Sequence, residues 1–333
     1  MNPKLKTCPE RSRRTENLKF LLLIGALLFA LGSSADAEPA GNPPSLIDAH
    51  SHAMMINRAV PNPDDEIQLF KRVSLSGVVL ISTNFQLLKD LSARHPGFIF
   101  PFINLAREDG LKVLPLNETR VQQITMALDS GACGVGELPL RTFHREKTSS
   151  EGEEVALDHP ILAKIYELAA QRSVPVMMHV NLEDDSTVEE FKRMLAAHPK
   201  TTFILAHAGT PARASLVGEL MTTHANLQAD LSGRLDPVGR VRIPPAMAAY
   251  VSANRITESG DRLKDEWRNL LERFPDRFLF GLDLGPPVER HVYIEDLVKR
   301  FRTVLSQLAP RDAERIGSGN IKQLLRNCRV MTQ

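Results

Sequence analysis

The stretch Ile47-Asp48-Ala49-His50-Ser51-His52 is an apolar run that closes on two histidines spaced two apart. Side chains at i and i+2 of a strand point to one side, so both imidazoles can reach a single cation. A lone pair decides little, because paired histidines also serve as hydrogen-bonded barrel or loop residues. It gains weight because the same layout, an apolar run ending on an imidazole or an acid, returns further along the chain.

Working outward from that stretch, strand-like runs occur at Leu46 to His50, Val78 to Ser82, Phe98 to Asn104, Cys133 to Leu138, Val174 to His179, Thr202 to His207, Leu227 to Leu231 and Phe278 to Asp283. Between them lie segments such as Val121 to Ser130, Pro160 to Arg172, Val188 to His198 and Asp265 to Phe274, with apolar residues at the three-to-four spacing of one buried helical face. Alternating strands and helices imply parallel strands joined by right-handed crossovers, and eight such units favour a closed (β/α)8 TIM barrel over an open sheet. No glycine-rich dinucleotide or phosphate loop follows the first run, which argues further against the open sheet. The barrel is expected over residues 46–330 as a single domain.

In such a barrel the C-terminal strand ends carry the chemistry. They hold His50 and His52 in the first unit, Glu137 in the fourth, His179 in the fifth, His207 in the sixth and Asp283 in the eighth. Each has a bland reading. His179 and His207 would be core histidines bonded to a carbonyl, Glu137 a partner of Arg141, and Asp283 a helix cap. Together they would bury many ionisable groups at one mouth, which is costly without a cation, so a divalent metal site is the expectation. Asp48, two residues below His50, is expected to orient ligands from behind, while Arg141, His144, Asn181 and Arg213 follow strand ends and could hold a substrate, although residues at such positions are more often plain surface residues. Gly233 to Asp261 is long enough to lie over the mouth as a lid.

These residues resemble the amidohydrolase superfamily, in its amidohydrolase-related branch of barrel-fold metal-dependent hydrolases. The first-strand motif is followed by His198-Pro199, Phe203-Ile204-Leu205-Ala206-His207-Ala208-Gly209, Arg277-Phe278-Leu279-Phe280-Gly281-Leu282-Asp283 and Gly319-Asn320-Ile321-Lys322-Gln323-Leu324-Leu325, which are similar to the family's sixth strand, eighth strand and closing helix. Leu282 departs from the pattern, standing where many relatives have Ser. The fourth-strand position held by Glu137 varies among relatives. The resemblance implies two cations if Glu137 bridges, one on His50, His52 and Asp283 and the other on His179 and His207. Otherwise it implies one cation on His50, His52, His179 and Asp283, with His207 free as a base. Mixed imidazole and carboxylate ligands suit zinc. The implied chemistry is attack of activated water on a small amide, ester or lactone, with Asp283 carrying the proton. Non-oxidative decarboxylation and a non-catalytic metal- or solute-binding barrel are the alternatives.

The N-terminus adds a location. Lys4, Lys6, Arg11, Arg13, Arg14 and Lys19 precede an apolar run from Phe20 to Leu31 and then Ala35-Asp36-Ala37, the layout of a signal peptide over residues 1–37 followed by a linker at 38–45. The run is shorter than the about 20 residues that span a bilayer, so no stable membrane anchor is expected after cleavage, and the protein should be periplasmic or secreted. The formal net charge of +1 provides no basic field for nucleic acid, leaving a small molecule as the expected partner. Of the cysteines, Cys133 reads as barrel packing, and a disulfide with the distant Cys328 gains no support because a core of this size does not need one.

Overall fold

The computed structural model describes residues 43–53, 62–106, 113–142, 154–235, 254–285 and 293–328. The leader, most of the linker, His144 and the greater part of the expected lid lie outside them. Eight strands, β1 (Ile47–His52), β2 (Gly77–Ser82), β3 (Ile99–Ile103), β4 (Gly134–Arg141), β5 (Val176–Val180), β6 (Phe203–Leu205), β7 (Leu227–Asp230) and β8 (Phe278–Leu279), run side by side in chain order, all parallel. The ring is closed between the last and first strands by Ala49 N to Phe280 O at 2.9 Å, Asp283 N to His50 O at 2.6 Å and His52 N to Leu284 O at 2.7 Å. This is the TIM barrel expected from the alternation.

The helices α1 (Pro63–Arg72), α2 (Phe85–Arg94), α3 (Glu118–Asp129), α4 (Pro160–Arg172), α5 (Asp185–Ala197), α6 (Ala214–Thr223), α7 (Asp265–Arg273) and α8 (Ile294–Leu305) alternate with the strands. Local chemistry sets their ends. Asn84 Oδ1 accepts from Leu87 N at 3.1 Å at the start of α2, and Asp184 Oδ1 accepts from Thr187 N at 3.0 Å at the start of α5. Helix α4 begins on Pro160 and stops at Ser173, which turns left-handed.

Two separate cores result. One fills the space between strands and helices, with Val78, Leu80, Leu138, Phe191 and Phe203 among its members. The other fills the barrel itself with Ile47, Ala49, Val79, Phe100, Phe102, Met177, Ile204 and Leu279. The floor of that second core is the C-terminal segment, where a short helix (Pro310–Glu314) runs through a π turn (Arg315–Gly319) into a last helix (Asn320–Leu324). Its Ile321, Leu325 and Cys328 pack inside the barrel. There Cys328 is joined to Cys133 by a disulfide, with 4.8 Å between their Cα atoms. The disulfide corrects the expectation of separate cysteines: the closing segment returns under the barrel to the residue preceding β4, although the two lie 195 positions apart in sequence.

Several boundaries move for visible reasons. β8 is short because Phe280 N donates to Ile316 O of the π turn at 2.9 Å instead of continuing a ladder. β6 ends at Leu205, and Ala206–Gly209 forms a tight turn in which His207 and Ala208 are left-handed, with φ of 55° and 46°. Such conformations cost non-glycine residues about 1–2 kcal/mol each, so the surroundings must hold them. β4 continues to Arg141, so Glu137 sits within the strand and not after it. Pro44 and Ser45, assigned to the linker, are tied to the barrel through Arg302 Nη1 to Pro44 O at 2.9 Å and Ser45 N to Glu314 Oε2 at 3.0 Å.

Candidate metal centre

Two register shifts aim the site. The β1–β2 pairing slips between Asp48 and Ser51, which breaks strict alternation, so that Ala49 joins the barrel interior while His50 and His52 still present their rings together at the mouth. Asp48 therefore does not lie beneath His50 as the regular strand predicted. Its carboxylate binds backbone instead, accepting from His50 N at 3.0 Å and Leu282 N at 2.9 Å, and from Ser51 Oγ at 2.5 Å. It clamps the end of β1 to the segment carrying Asp283, and burial pushes its own carboxyl up to about 7. The second shift, between Val135 and Leu138, turns Glu137 inward between two residues of the outer core. Gly136 makes this possible with φ of 127°, where a β-carbon would meet the Met177 carbonyl.

All six expected residues converge, around Glu137. Its Oε2 lies 3.4 Å from His50 Nε2 and 3.3 Å from His52 Nε2. Asp283 Oδ1 lies 3.7 Å and 3.5 Å from the same two nitrogens. On the other side Glu137 Oε1 faces His179 Nδ1 at 3.0 Å and His207 Nε2 at 3.4 Å. His50, His52 and Asp283 thus form one cage and Glu137, His179 and His207 another, with the ligand atoms of each within 4.8 Å of one another. Glu137 does not pair with Arg141, whose Nη2 meets Glu190 Oε2 at 2.5 Å. Asn181 reaches the site, with Oδ1 3.2 Å from His179 Nε2, whereas Arg213 is exposed at the start of α6.

The electrostatics are those of a site built for positive charge. Burial alone would raise the Glu137 carboxyl, but His50 and His179 hold it well below the usual range. Burial works against a charged His50, and Glu137 and Asp230 more than reverse it, placing its pKa well above the ordinary value. His52 is likewise disfavoured as a cation by burial but raised to about 9 by Asp283 and Glu137, and His207 is raised against burial by Glu137 and Asp283. Protons on these rings supply the charge that a cation supplies when the rings act as ligands. The residues fit a divalent ion on a further ground: Glu137 Oε1 is buried and accepts no hydrogen bond although two imidazoles face it, an acceptor left for another kind of partner.

Behind the cages lie residues that sequence reasoning missed. Asp230, wholly buried at the end of β7, takes His50 Nδ1 at 3.1 Å and accepts from Ser232 N at 2.9 Å, and Ser232 Oγ donates to it. Ser232 Oγ also stands 2.9 Å from His207 Nδ1. The available signal was the one that found Asp283, an acid closing an apolar strand in Leu227-Gln228-Ala229-Asp230.

A profile of the amidohydrolase family matches residues 81–326. The chain belongs to the amidohydrolase family. As an amidohydrolase it is similar in fold to solved structures that include three distant in sequence. An uncharacterised TIM-barrel protein from Bordetella bronchiseptica is 15% identical with a TM-score of 0.59, covering 85% of this chain and 99% of that one. A probable 2-pyrone-4,6-dicarboxylic acid hydrolase from Acinetobacter baumannii, with citric acid bound, is 14% identical with a TM-score of 0.53 over the same shares. An amidohydrolase from Burkholderia multivorans with bound zinc is 15% identical with a TM-score of 0.51, again over 85% and 99%. Among curated proteins none matches this amidohydrolase. Membership indicates a hydrolase or related enzyme of a metal-dependent family, and the residue groups able to hold metal are present.

Proposed function

We propose that this amidohydrolase is an exported hydrolase that uses two divalent cations of zinc-like preference on a small amide, ester or lactone. The observation that carries the reading is the Glu137 carboxylate, whose two oxygens face two different sets of imidazoles. His50, His52 and Asp283 would hold one ion, His179 and His207 the other, and Glu137 both. The bound ions supply Lewis acidity, which polarises a carbonyl and brings the pKa of attacking water to about 7.

The chain's own residues do the rest. Asp283 keeps 21% of its side chain exposed while its Oδ1 reaches both β1 imidazoles, so it can take a proton from water and deliver it to a leaving group at the mouth. Asp230 holds His50 by Nδ1 and leaves Nε2 bare toward the cage, the outer-shell arrangement that fixes a ligand's tautomer. The barrel below is packed with apolar side chains, which keeps bulk water from approaching the site from beneath. Export is supported by the leader layout and by the buried Cys133–Cys328 disulfide, since structural disulfides persist in oxidising compartments.

The test is metal analysis of the mature protein joined to a turnover screen of amides, esters, lactones and aromatic carboxylates. Two ions per chain, hydrolysis of at least one carbonyl class, and loss of turnover in Asp283→Asn are expected. Release of carbon dioxide from an aromatic carboxylate without hydrolysis would replace the reading with decarboxylation. Metal retained with no turnover of any substrate would favour a binding barrel.

A further inference from the structure

Arg234 is among the largest side chains in the molecule to be fully buried, at 1% exposure. A guanidinium so placed is costly unless its donors are used. Its Nε donates to His207 O at 2.6 Å, its Nη2 to Ala208 O at 2.8 Å and Ala212 O at 2.9 Å, and its Nη1 to Asn254 O at 2.9 Å. Its Cζ lies 4.9 Å from the centre of the Trp267 ring, which fixes the plane of the fork. Two of these carbonyls belong to the turn that carries His207, where His207 and Ala208 are left-handed and the backbone has left the β6 ladder, and a third, Ala212 O, lies just beyond it.

The same short segment also reaches the ring of His207. His207 Nδ1 lies 3.2 Å from the Ser232 carbonyl oxygen, which can only accept, so Nδ1 carries a proton and Nε2 is the atom available to a cation. Ser232 Oγ, which donates to Asp230, lies 2.9 Å from the same nitrogen. Gly233, with φ of 68°, lets the chain pass so close that a β-carbon there would come within 3.3 Å of that nitrogen. Asp230 and Ser232 serve both cages, since Asp230 Oδ2 lies 3.1 Å and Ser232 Oγ 3.2 Å from His50 Nδ1, and Asp230 forms a third possible ligand group with His50 and His207; the Arg234 guanidinium instead grips the backbone that carries His207.

We propose that Arg234 is a positioning residue that sets His207 and with it the second cation site, leaving the His50–His52–Asp283 site independent of it. The proposal rests on the two-ion reading above. Its consequence is asymmetric: loosening the Ala206–Gly209 turn should cost one ion and spare the other. Removing an outer-shell partner typically weakens metal affinity about 10–100-fold.

The experiment is titration of metal-free Arg234→Met, Arg234→Lys and Trp267→Leu with Zn²⁺ by calorimetry and with Co²⁺ by visible absorption, beside the wild type. In the Arg234 variants the second equivalent should bind about 10–100-fold more weakly and the first within about threefold of wild type, with the corresponding Co²⁺ band lost. Lys should not restore it, because one ammonium cannot span carbonyls that a planar fork reaches together. Folded Arg234 variants that bind both ions as wild type does, or that lose both together, would overturn the proposal. If the Arg234 variants do not fold, Trp267→Leu, which removes the ring against the guanidinium, decides: selective weakening of the second equivalent supports the proposal, and unchanged two-site binding or loss of both ions together overturns it. A wild type that takes up one ion at most would overturn the two-ion reading and this proposal with it, and is recognisable because it appears before any substitution.

Discussion

Replacing Glu137 by Gln should abolish the binding of one cation while leaving the barrel folded. The amide keeps the size and planarity of the carboxylate, so the packing around β4 is unchanged. It offers one acceptor oxygen where the carboxylate offers two, and its NH2 group can only donate. Whichever way it turns, either the His50 and His52 side, now at 3.4 and 3.3 Å, or the His179 and His207 side, at 3.0 and 3.4 Å, loses its oxygen. Removing one partner of a buried charge pair costs about 3–5 kcal/mol, which corresponds to a loss of two to more than three orders of magnitude in affinity for the cation affected. Equilibrium dialysis against buffered Zn²⁺, followed by elemental analysis, should give two ions per wild-type chain and one per variant. The reasoning is refuted if the variant, shown folded by circular dichroism, retains two ions with affinities within threefold of wild type.

Three further outcomes follow from the fold. Cys328→Ser opens a closed loop of 195 residues and should destabilise the protein by about 2–5 kcal/mol in denaturant unfolding, with metal stoichiometry kept because the bond lies beneath the site. Burial holds His198 and His224 below the ordinary 6.5, so the unfolded chain takes up protons first as the pH falls. The contribution of these two histidines to the stability of the metal-free protein is therefore lost from about pH 6.5 downward, so His198→Asn should gain stability relative to wild type as the pH falls, and an identical pH dependence in that variant would count against the assignment. Asn84→Ala removes the acceptor for Leu87 N and should lower stability by about 1 kcal/mol without altering metal uptake.

How far the chain could be read in advance depended on whether the controlling interaction was local. Helix α4 was expected over Pro160 to Arg172 and is found there, because a proline starts it and a left-handed Ser173 stops it, both short-range effects. His50 and His52 were legible because a two-residue spacing survives the register shift beside them, whereas Asp48 was misplaced because that shift is set by pairing with β2 and β8. His207 was assigned to a strand end, but it sits in a left-handed turn whose carbonyl is bonded by Arg234 and whose ring is bonded by Ser232, both distant in sequence. Asp230 was overlooked although its segment resembles that of Asp283, since nothing beside it suggested a partner; that partner is His50, 180 positions away. The disulfide was hidden for the same reason, as only the return of the C-terminal segment under the barrel brings Cys328 to Cys133.

That returning segment has a bearing on traffic. With Ile321, Leu325 and Cys328 seated inside the lower end, the barrel is a cul-de-sac. On the proposed function, and among the described residues, substrate, product and the cations would share the opposite mouth. A product resting there would then block the next substrate, so its departure can set the pace, and accumulated product should act as a competitive inhibitor.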